Sequence, residues 1–283
     1  MTELSALQAW VGRRETRQAD VPAVLAARMA ALLDCDADTG VGEILPAHWY
    51  PMLFGETALQ RQIGADGHSL KGGFLPPVQL PRRMFAGRRV QFLRPLRIGD
   101  AVEKSSEIIA ITPKTGRSGQ MCFVTVRHEI SGSEGVAVVE EQDIVYREAP
   151  GAATQAAAAR PAPPPEQALA PVVTLLPDPV MLFRYSAITF NAHRIHYDRD
   201  YAMGTEHYPG LVVNGGLTLL LLWDYAARLG WRLDASASRN RKPLFASREI
   251  SLHAVSRGAE RWLLARDDSG EIAVEAQVTE VRA

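Results

Sequence analysis

The 283-residue chain has only two cysteines, Cys35 and Cys122. That excludes a disulfide framework and a cysteine-built zinc site, and reads as two reduced thiols in a cytoplasmic protein. It also lacks an excess of either charge, with 31 Lys+Arg against 32 Asp+Glu and a formal net charge of −1. No global field therefore draws it to nucleic acid or an anionic membrane. Nor is there an apolar run of the roughly 20 residues that a membrane span requires. The one suspect, Leu211 to Leu229, is interrupted by Asn214, Asp224 and a glycine pair. The first seventeen residues mix charges with apolar groups, so no signal peptide is expected. Missing too are a G-x-S-x-G nucleophile elbow, a Walker A sequence, and a third glycine after Gly40-Val41-Gly42. Those absences exclude the corresponding hydrolase, phosphate-loop and dinucleotide motifs. What remains is 47% hydrophobic and 22% charged, enough to build a globular core.

One composition shift divides the chain. Residues 149–165 read APGAATQAAAARPAPPP, with almost no large apolar groups to offset the entropy of ordering. The expected organisation is an N-terminal domain over 1–148, a linker over 149–170 and a C-terminal domain over 171–283. Each part has a helix followed by strands. In the first, a helix is expected over 21–33, with Asp20 as N-cap and Pro22 in its first turn. An irregular Gly/Pro-punctuated stretch over 72–87 follows, then strands over 102–112, 121–131 and 136–146. In the second, a helix over 213–229 precedes strands over 245–255, 261–266 and 272–281, with Asp267-Asp268-Ser269-Gly270 as a hairpin turn. This order implies an α+β fold with sheet curled around buried helix.

The chemistry concentrates in Phe190-Asn191-Ala192-His193-Arg194-Ile195-His196-Tyr197-Asp198 and the glycine-started helix after it. An imidazole titrating near neutrality suits proton transfer, and Asn191 can hold a water through its amide. Gly215 and Gly216 open the helix, where the first N–H groups have no internal partner and glycine allows close approach of a substrate oxygen. Two plainer readings stand beside this one: an incidental polar surface loop, and a glycine pair required by packing. A metal bound by His193, His196 and Asp198 is disfavoured, since Arg194 lies between the ligands and no catalytic Glu is present. Arg82-Arg83, Arg88-Arg89 and the cluster ending in Arg241-Lys242 read as solvated faces or as sites for an anionic ligand's phosphates.

The segment Thr189 to Asp198, followed by Tyr208-Pro209-Gly210-Leu211-Val212-Val213, resembles the C-terminal hot-dog domain of MaoC-like dehydratases. More narrowly, it is similar to the type-2 hydroxyacyl-thioester dehydratase and mesaconyl-C4-CoA hydratase group. Residues 74–87 (FLPPVQLPRRMFAG) and Arg94 to Asp100 resemble that group's N-terminal domain. The resemblance implies a double hot dog, two curved antiparallel sheets each wrapped around a central helix. It implies a hydro-lyase acting on an acyl-CoA, with CoA part of the substrate, no metal and no other cofactor. Related hydratases use an Asp and a His five residues apart; here Asn191 and His196 match those positions, leaving His196 to titrate. The Gly215 N–H falls where the family polarises the thioester carbonyl, and Asn214 stands where many relatives have His. Tyr185, Arg184, Arg194 and Asn214 are expected at the substrate, with Arg184 or Arg194 pairing a distal carboxylate. Arg241 and Lys242 are the candidates for CoA phosphates. The N-terminal domain is expected to shape the pocket without doing chemistry. The substrates implied are mesaconyl-C4-CoA or itaconyl-CoA, going to citramalyl-CoA. A straight-chain hydratase and a hot-dog thioesterase are the alternatives, and a homo-oligomer is allowed.

Overall fold

The computed structural model describes residues 3–116, 119–148 and 165–280. In chain order the helices are α1 (Glu3–Gln8), α2 (Ala23–Leu32), α3 (Pro179–Thr189) and α4 (Gly215–Arg228). The strands of the first half are β1 (Arg14–Asp20), β2 (Ile44–Leu45), β3 (Arg82–Phe92), β4 (Leu96–Arg97), β5 (Ala101–Gly116), β6 (Gly119–Gly132) and β7 (Gly135–Arg147). Those of the second are β8 (Gln167–Ala168), β9 (Val173–Leu175), β10 (Leu233–Asn240), β11 (Ile250–Arg257), β12 (Glu260–Arg266) and β13 (Ile272–Glu280).

All but β2 and β4 join one antiparallel sheet in the order β1-β5-β6-β7-β3-β10-β13-β12-β11-β8, with β9 also on β11. The two halves meet at β3 and β10, where Ala235 to Arg239 pair with Gln91 to Gly87. Space there is short: a Cβ on Gly87 would stand 2.2 Å from the Ser238 carbonyl oxygen. β10 (LDASASRN) meets this with Ala and Ser instead of the β-branched residues that mark strands, so its sequence does not announce a strand.

α4 packs on β10, β11, β12 and β13. Leu217, Leu219, Leu220, Leu222 and Trp223 are all buried on it, each side chain contributing about 1.5–3 kcal/mol of transfer free energy. Trp223 Nε1 donates to Ser236 Oγ at 2.9 Å, which ties the helix to the joining strand. α2 is shorter and packs on α3 and the turn Ala47–Met52.

Several expectations need correction. Asp20 ends β1 and does not cap α2; Pro22 occupies the cap, without a side-chain hydrogen bond. Residues 82–87, read as irregular, begin β3. Phe245 lies outside β11 and forms only an isolated bridge with Val212. The short strands β1, β8, β9 and β10 and the helix α3 were not anticipated. Residues 149–164 of the expected linker lie outside the described residues, while Gln167–Ala168, near its end, pairs with β11.

Candidate active site

α3 begins with Asp178 accepting from the Met181 N–H at 2.7 Å and ends at Phe190, whose left-handed backbone (φ 50°) reverses the chain. The chain then runs through Asn191 and His193 into the single turn Arg194–His196. His196 is buried, and its Nδ1 lies 2.7 Å from the Val212 carbonyl oxygen. A carbonyl only accepts, so Nδ1 carries the proton and Nε2 keeps its lone pair. Burial pushes the His196 pKa down to about 4, against the raising effect of that hydrogen bond. The ring is neutral and is anchored to Val212, three residues before α4 begins.

At the start of α4, Asn214 is the N-cap residue but makes no side-chain cap bond. It is 2% exposed, and neither Oδ1 nor Nδ2 has a protein partner. Both glycines after it sit where a side chain would displace a neighbouring side chain. A Cβ on Gly215 would lie 2.5 Å from Asn240 Nδ2 and 3.2 Å from Phe85 Cδ1; one on Gly216 would lie 2.5 Å from Tyr185 Oη. Tyr185 is buried beside this tip, and burial pushes its pKa up to about 12. Free helix N–H groups, an unpartnered carboxamide and a protonated phenol together form a donor-rich centre suited to developing negative charge on oxygen.

The N-terminal half reaches this centre, which its sequence did not disclose. His68 Nδ1 is 3.0 Å from Asp66 Oδ2, and the His68 ring lies 4.0 Å, centroid to centroid, from His193. His193 in turn stands edge-on to His196 at 5.3 Å. Burial lowers the pKa of His68, with Asp66 opposing it, and lowers that of His193 to about 2, with His68 and His196 adding to the effect. Burial alone would raise Asp66, but hydrogen bonds from the His68 ring and backbone hold it well below the usual carboxylate range. The Asp66 loop is fastened to the histidine segment by Arg194, whose N–H donates to Asp66 O at 2.9 Å and whose Nη1 donates to Ala65 O at 3.0 Å. Gly67 (φ 89°) passes so close that a Cβ would sit 1.8 Å from the Ala192 carbonyl oxygen. Only this D-G-H spacing in a loop could have hinted at a role, and such triplets are common in turns. Ligand atoms of Asp66, His68 and His193 lie within 4.8 Å of one another, but the Asp66 carboxylate is already bonded to His68.

The remaining candidates are scattered. Asn191 Oδ1 accepts from the His193 N–H at 3.0 Å, and Asn191 and His196 share no direct hydrogen bond. Arg184 is exposed and donates to Ala31 O at 2.9 Å. Arg194 is paired with Asp198 at 2.7 Å. Arg241 pairs with Glu275 at 2.5 Å, and Lys242 with Asp267 and Glu271. A phosphate on Arg241 or Lys242 would have to compete with those carboxylates.

The model of the hydroxyacyl-thioester dehydratase type 2 family matches residues 48–246, spanning both halves and the whole centre just described. The chain belongs to that family and is a hydro-lyase. It is 43% identical over 272 residues to the mesaconyl-C(4)-CoA hydratase of Chloroflexus aurantiacus, covering 95% of this chain and 96% of that one. A 49-residue stretch is 49% identical to the mitochondrial hydroxyacyl-thioester dehydratase type 2 of Schizosaccharomyces pombe, covering 17% of this chain and 16% of that protein. Among solved structures, a MaoC-like dehydratase superposes with a TM-score of 0.72 at 15% identity, over 98% of this chain and 100% of the other. A Mycobacterium tuberculosis protein with a double hot-dog fold gives 0.58 at 15% identity, over 96% of each chain. At such identities these structures establish the fold, a double hot dog whose two sheets are continuous here.

Among the described residues, no helix is long and apolar enough to cross a membrane.

Proposed function

We propose that the protein hydrates a short, branched, dicarboxylic enoyl-CoA, with mesaconyl-C4-CoA giving citramalyl-CoA as the favoured reaction. The single observation that carries the chemistry is the buried His196, whose Nδ1 is tied to the carbonyl of Val212, three residues before the α4 tip, leaving Nε2 with no protein partner among the described residues. The 43% identity to a mesaconyl-C(4)-CoA hydratase supports the substrate class.

In this reading the thioester oxygen lies at the Gly215 and Gly216 N–H groups, which stabilise it as the α-carbon gains enolate character. Asn191 Nδ2, which makes no protein hydrogen bond among the described residues, orients the water. His196 Nε2 takes one proton from that water as its oxygen bonds to C3, and the same proton returns to C2 of the enolate. Bonds made and broken balance with no redox partner. Burial keeps His68 neutral as well, and the Asp66 carboxylate partly offsets that effect while orienting the ring. CoA enters as part of the substrate, and the reaction asks for no metal or further cofactor. We place the reaction in the cytoplasm, in keeping with the two free thiols.

The test is to incubate the purified protein with mesaconyl-C4-CoA, itaconyl-CoA and crotonyl-CoA. Loss of enoyl-thioester absorbance with mesaconyl-C4-CoA is the expected result. Preference for crotonyl-CoA would favour a straight-chain hydratase, and release of free CoA would replace the reading with a thioesterase.

A further inference from the structure

Four arginines lie on β3, and three are neutralised. Arg82 pairs with Glu206 at 2.6 Å, Arg88 with Glu140 at 3.3 Å, and Arg89 with Glu141 at 2.9 Å and Asp143 at 2.7 Å. Arg83 is half-buried and forms no ion pair among the described residues. A guanidinium partly withdrawn from water without a counter-charge is unfavourable, and its planar fork is suited to a carboxylate.

The position of Arg83 relates it to the α4 tip. Alternate residues of a strand share a face, so Arg83 lies on the same face as Phe85. Phe85 packs against the start of α4, with Cδ1 3.2 Å from where a Gly215 Cβ would stand. Arg88 lies over the same ring at 4.6 Å, past the irregularity between Phe85 and Gly87. Along one face of β3 the order is therefore a sealed cation, an aromatic ring against the helix tip, and an unsealed cation. Two residues of strand set Arg83 roughly 6.6 Å from Phe85 along the chain, a distance a long side chain spans. Across the sheet Arg83 is in register with Tyr146, a neutral phenol whose buried Oη the guanidinium faces and whose ring has Lys71 Nζ above it at 5.6 Å. After burial and their own neighbours, His68 and His193 both feel the Arg83 charge, which lowers their pKa values. Glu56, the acid whose charge also reaches His68 and Tyr146, accepts from Ser69 Oγ.

We propose that Arg83 is the specificity-determining residue of this enzyme, binding the free carboxylate of a dicarboxylic acyl thioester whose carbonyl rests at the α4 tip. The inference rests on the hydration reading above and replaces Arg184 and Arg194, both engaged elsewhere, in that role. In a mesaconyl-C4 thioester the carbon attacked by water itself carries the carboxylate. A cation there fixes the acyl group and offsets repulsion between that carboxylate and the incoming oxygen.

Binding of two unreactive thioesters, succinyl-CoA and butyryl-CoA, to the wild-type protein and to Arg83→Gln separates this from other roles. Calorimetry should show the wild type preferring succinyl-CoA by about thirtyfold or more. Arg83→Gln should lose that preference while holding butyryl-CoA within threefold of wild type, and Arg83→Lys should regain part of it. Equal weakening of both ligands would overturn the proposal and assign Arg83 to the CoA portion or to folding. A preference unchanged in Arg83→Gln would also overturn it. Failure of the hydration reading is visible separately, as absence of wild-type turnover on mesaconyl-C4-CoA whatever the binding data show.

Discussion

The two halves of the sheet each deliver an imidazole to the same centre, but they hold it differently. His196, from the C-terminal half, gives its Nδ1 proton to a backbone carbonyl and is kept neutral by burial. His68, from the N-terminal half, faces the Asp66 carboxylate, which stabilises its charged form. Burial drives both rings toward the neutral form, but only at His68 does a carboxylate oppose that shift, and His193 lies between them. Environment makes this difference, since the side chain is the same. The half expected only to shape the pocket thus completes the histidine cluster with its Asp66–His68 pair.

The sharpest way to break the comparison is His196→Ala. Loss of the neutral base should lower turnover by more than about a hundredfold, read from enoyl-thioester absorbance, with the circular dichroism spectrum unchanged. Activity kept within a few-fold would transfer the base role to His68. Next in size is Gly67→Ala, which strains a left-handed residue and drives a methyl into the Ala192 carbonyl. Unfolding in urea should show about 1–3 kcal/mol lost, with turnover reduced about tenfold as the halves separate locally. Asp66→Asn should lower the His68 pKa further and shift His196, which feels Asp66 only through His68, much less, as followed by NMR titration of the ring protons.

The burial of neutral His196 has a stability consequence whose sign follows from its lowered pKa. The unfolded ring titrates near 6.5 and the folded one at about 4, so acid favours the unfolded chain. Its contribution is complete above pH 6.5 and declines as pH falls toward 4, by about 1.4 kcal/mol per pH unit. Denaturant unfolding at pH 7 and pH 5 measures this slope, and His196→Gln should flatten it. The smallest effect is expected at Arg184→Ala. Its guanidinium is exposed and bonded to Ala31 O, so kcat/KM should change by less than twofold.

Much of this was legible in the chain. α4 and the strands β5, β6, β7, β12 and β13 carry apolar periodicity strong enough to place them within a few residues. The segment holding Asn191 and His196 and the glycine pair that starts α4 also stand out in the sequence, and His196 is bonded to Val212 just before that helix. β10 was invisible because a close sheet junction calls for Ala and Ser, the reverse of a strand signature. β3 was obscured by the proline-rich run before it and by four arginines, whose counter-charges lie on β7 and on Glu206, distant in sequence. Asp66 and His68 were passed over for the same reason: His193, the ring that His68 approaches, is 125 positions further along the chain (193 − 68).

By itself the sequence determined the helix-then-strand order, the family, and the segment in which His193 and His196 lie together, because these depend on local pattern and short spacing. Tertiary structure alone decided that β3 and β10 fuse the halves into one sheet. It also decided that a loop of the first half meets the histidine segment of the second, and that Arg83 alone among its strand's arginines pairs with no acid among the described residues. Such outcomes depend on which distant groups come within a few ångströms, since burial and Coulomb interaction act through space and not along the chain.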